Sequence, residues 1–187
     1  MCIRDRLSGG DYARHTWSDY ADISQHTALA VIAAEDQRFP AHFGVDTTEL
    51  RRALRSRAAA RRGASTITQQ TVKNLFLWPG RSYVRKGLEA LLAVIMELLI
   101  PKRRILEIYL NIAQTGKGIF GVTDAARIYF DKAPQQLNRH EAARIAAVLP
   151  NPAQYSAVNP SSYVLQRQHW ILRQMKQLGG TGYLETL

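Results

Sequence analysis

The stretch RKGLEALLAVIMELLI, residues 85–100, decides the fold class of this 187-residue chain. At about 100° per residue its apolar side chains cover most of a helix circumference, and Pro101 ends the run. The charged side chains fall together within an arc of roughly 120°. These residues are Arg85, Lys86, Glu89 and Glu97. We therefore expect a buried helix whose single charged stripe lines a cleft. An ion-pair ladder, with Arg85 and Glu89 at i, i+4, is the alternative origin of that stripe.

Helical spacing also governs the rest of the chain. Strand signals are weak, because the apolar segments carry Ala, Leu, Gln, Glu and Arg rather than runs of Val, Thr and aromatic residues. Thr66 and Gln69 have the spacing of a capping box, which starts a helix that stops at Pro79 and Gly80. The predicted fold class is all-α. Further helices are predicted over residues 27–36, 103–112, 122–130, 138–149 and 162–178, and residues 46–62 form either a basic helix or a flap.

Composition limits the chain to one domain and indicates anionic partners. Hydrophobic residues make up 46% of the sequence, which is enough for one sizeable core. A formal net charge of +10 favours nucleic acid, phosphate groups or an anionic membrane surface. The single cysteine, Cys2, leaves no disulfide framework and no cysteine-based metal site. No apolar run reaches the roughly 18 residues of a membrane span, and residues 1–10 lack the apolar centre of a signal peptide.

Glu35 closes an apolar helix, where the negative end of the helix dipole disfavours an ionised carboxylate. We expect this environment to raise the pKa of Glu35 and to make it a useful base. Asp36 beside it and Arg38 nearby favour the alternative, a solvated helix end. His42 fits a hydrogen-bonding structural histidine better than a catalyst.

A basic cluster surrounds the turn at Pro79 and Gly80, where two predicted helices meet. Its members are Lys73, Arg81, Arg85 and Lys86. Free backbone N–H groups are expected at the start of the second helix, so a phosphate group would suit this site. The alternative is an exposed basic turn without a ligand.

The two glutamates of residues 85–100 are not equivalent. Glu97 lies two turns beyond Glu89, roughly 12 Å along the axis, next to the basic residues 102–104. We therefore expect Glu97 to form a structural ion pair, while Glu89 shares its turn with Arg85 and Lys86.

Five strings, in order along the chain, resemble the signatures of the family 51 glycosyltransferases. They are EDQRFPAHFG (residues 35–44), GASTITQQ with KNLFL (63–70 and 73–77), RKGLE (85–89), RRILEIYLN (103–111) and EAARIAAVLPNP (141–152). WPGRS (78–82) and WILRQM (170–175) resemble the monofunctional biosynthetic peptidoglycan transglycosylase branch of that family. Gln114 and Thr115 depart from the acidic-aromatic pair that is common after the fourth signature. The resemblance covers residues 17–180.

The resemblance implies a lysozyme-like, all-α fold with a larger globular lobe and a smaller lobe that faces the membrane. It implies that residues 17–180 are the glycosyltransferase domain, that residues 1–16 are uninformative and lack the family's membrane anchor, and that residues 181–187 are a C-terminal tail. The implied reaction joins a growing glycan on undecaprenyl pyrophosphate to lipid II through a β-1,4 linkage, with inversion. The implied location is the outer, periplasmic face of the bacterial cytoplasmic membrane, and cell-wall synthesis proteins are further expected partners.

The resemblance also implies roles for individual residues. Glu35 matches the general base that deprotonates the acceptor's 4-hydroxyl group, and Glu89 matches the second carboxylate, which assists departure of the pyrophosphate. Pyrophosphate contacts are expected from the basic cluster, Lys73, Arg81, Arg85 and Lys86. Hydrogen bonds to the substrate, or the shape of the cleft, are expected from Ser65, Thr66, Gln69, Gln70 and Asn74. No cofactor is expected to be required, and Mg²⁺ or Mn²⁺ beside Glu89 is the alternative.

Two other functions use parts of the same pattern. A lysozyme-like hydrolase also places paired carboxylates on a helical scaffold, but a hydrolase of neutral glycan links has no pyrophosphate for the basic cluster to bind. A basic nucleic-acid binder would account for the charge, but no helix-turn-helix or zinc-finger pattern supports it. We therefore expect no nucleic-acid partner.

Overall fold

The computed structural model describes residues 16–55, 65–78, 80 and 82–187. Helices dominate these residues, and the predicted all-α class is confirmed. The α-helices are α1 (Gln25–Glu35), α2 (Thr47–Arg55), α3 (Ile67–Phe76), α4 (Tyr83–Leu99), α5 (Lys102–Ile112), α6 (Val122–Phe130), α7 (Arg139–Val148) and α8 (Ser162–Gln177). Short 3-10 helices cover Tyr20–Asp22, Phe39–Ala41, Pro134–Gln136 and Gly180–Thr186. Residues 56–62 of the basic segment predicted over residues 46–62 lie outside the described residues.

A small antiparallel hairpin joins α5 to α6. Its strands are β1 (Gln114–Gly116) and β2 (Ile119–Phe120), and it departs from the purely helical prediction. Gly121 follows the hairpin with a φ of 76°, and a Cβ atom there would lie 2.5 Å from the carbonyl oxygen of Asn111. The glycine therefore allows the hairpin to fold back against the end of α5.

Helix α1 runs through the centre of the main hydrophobic core. Residues 27–33 are all buried, because α7, α8 and the 3-10 helix Gly180–Thr186 pack around α1. Small side chains on α7 let the two helix backbones approach closely. These fully buried residues are Ala142, Ala143, Ala146 and Ala147. After this buried stretch, burial decreases at Ala34 and Glu35, where α1 ends, so the helix delivers Glu35 to the edge of the core.

Helix α3 packs on both α4 and α5. It begins at the predicted capping box, which is confirmed: Thr66 Oγ1 accepts the Gln69 N–H at 3.1 Å, and Gln69 Oε1 accepts the Thr66 N–H at 3.0 Å. The box satisfies two backbone donors at the helix start and sets the direction in which α3 leaves the preceding loop.

The prediction that residues 85–100 form a buried helix is wrong. The buried residues of α4 are Glu89, Ala93 and Met96, while much of its apolar surface is exposed. The exposed apolar residues of α4 are Tyr83, Val84, Leu91, Ile95, Leu98 and Leu99. An apolar circumference shows that a helix avoids water, but it does not show that protein covers every side. Within the described ranges, no helix is long and apolar enough to cross a membrane.

The C-terminal residues pack on the main hydrophobic core. Residues 181–187, predicted as a tail, lie mostly within the 3-10 helix Gly180–Thr186, and Tyr183, Leu184 and Leu187 contact the core. The Tyr183 hydroxyl donates to the Gln37 carbonyl at 2.7 Å. This bond ties the end of the chain to the residues that follow α1.

Candidate active site

Glu35 lies where three helices meet. As the last residue of α1, it accepts a hydrogen bond at Oε2 from Gln70 Nε2 of α3, at 3.0 Å. Its Oε1 lies 3.5 Å from Arg167 Nη2 of α8, and its side chain is 14% exposed. The predicted position of Glu35 in the last helical turn is confirmed. Sequence reasoning missed Arg167, which belongs to none of the five signatures.

Asp36 ties the end of α1 to the start of α3. Its buried carboxylate accepts the Ile67 N–H at 3.0 Å and faces His42 Nε2 at 2.9 and 3.0 Å. The Ile67 N–H is one of the donors that a helix start leaves unpaired, so a carboxylate is well placed there. The alternative of a solvated helix end is therefore wrong for Asp36, and the prediction of a hydrogen-bonding role for His42 is confirmed.

A closed set of polar contacts, which we call the polar ring, lies beside Phe39, whose ring contacts His42 and Lys102. Its side chains are Asp36, His42, Lys102, Glu97 and Thr68. Lys102 Nζ lies 3.5 Å from His42 Nδ1 and 2.8 Å from Glu97, and Thr68 donates its hydroxyl to Glu97. Because Thr68 follows Ile67, whose N–H reaches Asp36, the ring closes. The ion pair predicted for Glu97 is confirmed, with Lys102 as its partner.

The polar ring has one favoured arrangement of protons. We assign the His42 proton to Nε2, because that nitrogen faces the two Asp36 oxygens. Nδ1 can then accept from Lys102. Burial lowers the pKa of Lys102, while its hydrogen bond to Glu97 and the charges of Glu97 and Asp36 oppose that shift. The ammonium group also lies 4.4 Å from the centre of the Phe39 ring, a distance that suits a cation–π contact.

The second carboxylate, Glu89, is buried on α4 and pairs with Lys86. Lys86 Nζ also donates to Ser65 Oγ at 2.8 Å, just before the start of α3. The salt bridge of Glu89 therefore runs to Lys86 at i−3, and not to Arg85, the partner that the ladder hypothesis named. The Arg85 backbone N–H donates to Ser82 Oγ, which caps α4, at 3.1 Å.

The predicted residues of α3 divide between its surface and its interior. Gln70, Lys73 and Asn74 are half-buried and share one face by their i, i+3 and i+4 spacing. Thr66 and Gln69 are buried in the capping box, and Thr66 also donates its hydroxyl to the Gly44 carbonyl at 2.6 Å. These two residues therefore lie in the interior, at the start of α3. Arg81 lies outside the described residues.

Gly44 fixes the loop of the first signature against α4. Its φ is 67°, and a Cβ atom there would lie 2.8 Å from the Val94 nitrogen. Only glycine accepts both the left-handed backbone and this close approach. The loop that follows Glu35 is thereby held against the helix that carries Glu89.

The described residues contain no group of three or more His, Cys, Asp or Glu side chains that could hold a metal ion. Glu89 offers one carboxylate, and its salt-bridge partner is the Lys86 ammonium group. Magnesium is usually bound by one or two carboxylates together with substrate phosphates. These residues therefore do not form a complete cation site by themselves.

The sequence is similar to those of known proteins over most of its length. The family model described as Transglycosylase matches residues 4–176. The chain belongs to the transglycosylase family. It is 57% identical over 183 residues to the biosynthetic peptidoglycan transglycosylase of Salmonella arizonae, covering 95% of this chain and 76% of that protein. It is 53% identical over 173 residues to the protein of the same name from Chromohalobacter salexigens, covering 91% and 74%.

Membership in this family confirms the resemblance that the five signatures indicate. The chain is a glycosyltransferase with the lysozyme-like, helical domain of the transglycosylases. The contacts around Glu35 and Glu89 are thus contacts within a glycosyl-transferring enzyme.

Proposed function

We propose that this chain polymerises lipid II into β-1,4-linked glycan strands, with inversion and with release of undecaprenyl pyrophosphate, during bacterial cell-wall synthesis. The observation that carries the proposal is that one short segment, residues 65–70, contacts both carboxylate sites. Gln70 of α3 donates to Glu35, while Ser65, just before α3, accepts from the lysine that pairs with Glu89. A proton acceptor and a cationic site are therefore held by the same short segment.

Glu35 is the base in this proposal. It removes the proton of the acceptor's 4-hydroxyl group as that oxygen attacks the anomeric carbon of the donor. The bond between the anomeric carbon and the pyrophosphate oxygen breaks, and its electron pair leaves with the pyrophosphate. The attack from the opposite side inverts the configuration, and the proton remains on Glu35 until it passes to solvent.

The leaving pyrophosphate gains negative charge as the bond breaks, and cations beside it stabilise that charge. We assign this role to Lys73 and Lys86, together with Arg85 and Arg81. The buried carboxylate of Glu89 holds the half-exposed Lys86 side chain in place. Ser65, Thr66, Gln69, Gln70 and Asn74 bind substrate or shape the cleft.

No cofactor is required in this proposal, because ammonium and guanidinium groups supply the positive charge. Mg²⁺ or Mn²⁺ bound by Glu89 together with pyrophosphate oxygens is the alternative. Turnover that is unchanged by a chelator favours the first account. Turnover that a chelator abolishes and Mg²⁺ or Mn²⁺ restores favours the second.

The exposed apolar face of α4 is the surface that we propose enters the membrane. Its C-terminal end carries Leu98 and Leu99, 69% and 77% exposed, and the exposed Arg103 and Arg104 follow shortly after. Apolar side chains next to basic ones suit the interface of an anionic bilayer, where a lipid-linked substrate is anchored. The proposed location is the outer face of the cytoplasmic membrane, where cell-wall synthesis proteins are expected partners.

Vesicle co-sedimentation tests this surface. The chain should bind anionic vesicles at low salt, and Leu98→Ser with Leu99→Ser should reduce the bound fraction several-fold. The matched control is Ile128→Ser with Val158→Ser. These two apolar residues lie outside α4, and each is 52% exposed. An equal loss in the control, or no binding by the unmodified chain, would contradict the proposal.

Incubation with lipid II in detergent tests the reaction itself. Glycan polymer on a gel, with stoichiometric release of undecaprenyl pyrophosphate, is the expected result. Cleavage of preformed strands without polymer would support a lysozyme-like hydrolase instead. Salt-dependent DNA binding without lipid II turnover would support a nucleic-acid binder.

A further inference from the structure

Tyr109 is buried and is linked to the proposed base, Glu35, through the side chain of Gln70. Its hydroxyl, on α5, donates to Gln70 Oε1 at 3.2 Å, and Gln70 Nε2 donates to Glu35 Oε2 at 3.0 Å. We propose that Tyr109 is a positioning residue for Glu35: by holding the amide oxygen of Gln70, it keeps the amide nitrogen turned toward the base. The inference rests on the proposed role of Glu35.

The chemistry of the three groups selects one orientation of the Gln70 amide. An ionised carboxylate accepts hydrogen bonds and cannot donate, so the amide presents its nitrogen to Glu35. The amide oxygen then faces Tyr109, and the phenol must be the donor. A reversed amide would place its oxygen against the Glu35 carboxylate, so that two acceptors would face each other.

Tyr109 is suited to act only as a donor. The residue is 2% exposed, and burial raises the pKa of its hydroxyl well above the ordinary value, with the charges of Glu35 and Asp36 raising it further. The hydroxyl therefore keeps its proton at every pH at which a glycosyl transfer would be assayed. The hydrogen bond that it donates to Gln70 is therefore retained throughout that pH range.

The expected benefit of this arrangement is a fixed carboxylate. The terminal torsion of a glutamate side chain is broad and is not held by its own rotamer preferences. Gln70 restrains it through Oε2, and Tyr109 restrains Gln70. Misplacement of a catalytic group by about 1 Å can reduce the rate about hundredfold, so a partial loss of this restraint should be measurable.

The first test is Tyr109→Phe, which removes the hydroxyl and keeps the ring. We expect kcat with lipid II to fall about tenfold, the effect of one lost hydrogen bond of ordinary strength, while KM changes less than about twofold. The matched control is Tyr129→Phe, because the Tyr129 hydroxyl donates to the Thr115 carbonyl at 3.0 Å, away from Glu35. The control should keep kcat within about twofold of the unmodified enzyme.

The second test is a double-mutant cycle with Gln70→Leu. Because Tyr109 acts through Gln70, Tyr109→Phe should reduce kcat no further when Gln70 is already leucine. Two losses that multiply would overturn the proposal, and so would full turnover by either single variant. If Tyr109→Phe does not fold in a thermal melt, Gln70→Leu decides through its kinetic constants. A reduced kcat with KM changed less than about twofold supports the proposal, whereas an unchanged kcat, or a loss that lies mainly in KM, overturns it.

Glu35→Gln separates this inference from the proposed function. Full turnover by Glu35→Gln would remove the base and the inference together. An inactive Glu35→Gln combined with a fully active Tyr109→Phe would overturn the positioning role alone.

Discussion

Removing Lys102 should destabilise the fold more than removing the charge of its partner. The side chains of Glu97 and Lys102 are 2% and 17% exposed. Lys102→Met keeps an apolar stem but leaves Glu97 charged and buried, with the Thr68 hydroxyl still donating to it. Breaking a buried pair in this way costs about 3–5 kcal/mol, and we expect about 3 kcal/mol because Lys102 keeps some exposure. For a chain of this length, the melting midpoint should fall by about 6–12 °C.

Glu97→Gln is the matched comparison. Glutamine keeps the shape of Glu97 and can still accept the Thr68 hydrogen bond, and Lys102 keeps His42 as an acceptor, so we expect a loss of about 1 kcal/mol. The double variant should be more stable than Lys102→Met alone, because no unpaired carboxylate remains buried. Calorimetric melts of the three variants measure these differences. A Lys102→Met midpoint within about 2 °C of the unmodified chain, or a double variant less stable than Lys102→Met, would refute this reasoning.

Three further changes test other parts of the account. Glu89→Gln should lower lipid II turnover about hundredfold or more with little change in melting midpoint, whereas Glu97→Gln should keep much of the turnover; the opposite ranking would place the cleft elsewhere on α4. Lys73→Ala should weaken binding of lipid pyrophosphates far more than binding of lipid-free glycan, and calorimetric titration that shows equal losses would indicate a general folding defect. Gly44→Ala should destabilise the chain by about 1–3 kcal/mol, because of its backbone conformation and its contact with α4; an unchanged urea midpoint would contradict that contact.

Local signals in the sequence predicted most of the helices. The capping box at Thr66 and Gln69 starts α3 as predicted, and the predicted helix over residues 122–130 coincides with α6. Both depend on side chains within one or two helical turns, which spacing along the chain describes directly. The hairpin at β1 and β2 has strands too short to show an alternating pattern.

Contacts between distant segments could not be predicted in the same way. Arg167 reaches Glu35 from α8, and Tyr109 reaches Gln70 from α5, because of how whole helices pack. The exposure of α4 has the same origin, since hydrophobic periodicity does not record which neighbours a helix has. The resemblance to the family 51 glycosyltransferases brought Glu35 and Gln70 into the candidate site, but it did not supply the hydrogen bond between them.

Lipid II polymerisation by Glu35→Gln, measured beside the unmodified chain, tests the central proposal most directly. Glutamine is nearly the same size as glutamate and can keep α1 folded, but it cannot accept the proton of the acceptor hydroxyl. We expect the unmodified chain to form glycan polymer, and Glu35→Gln to form none while melting at a similar temperature. Polymer formation by a folded Glu35→Gln at a rate near that of the unmodified chain would contradict the assignment of Glu35 as the base.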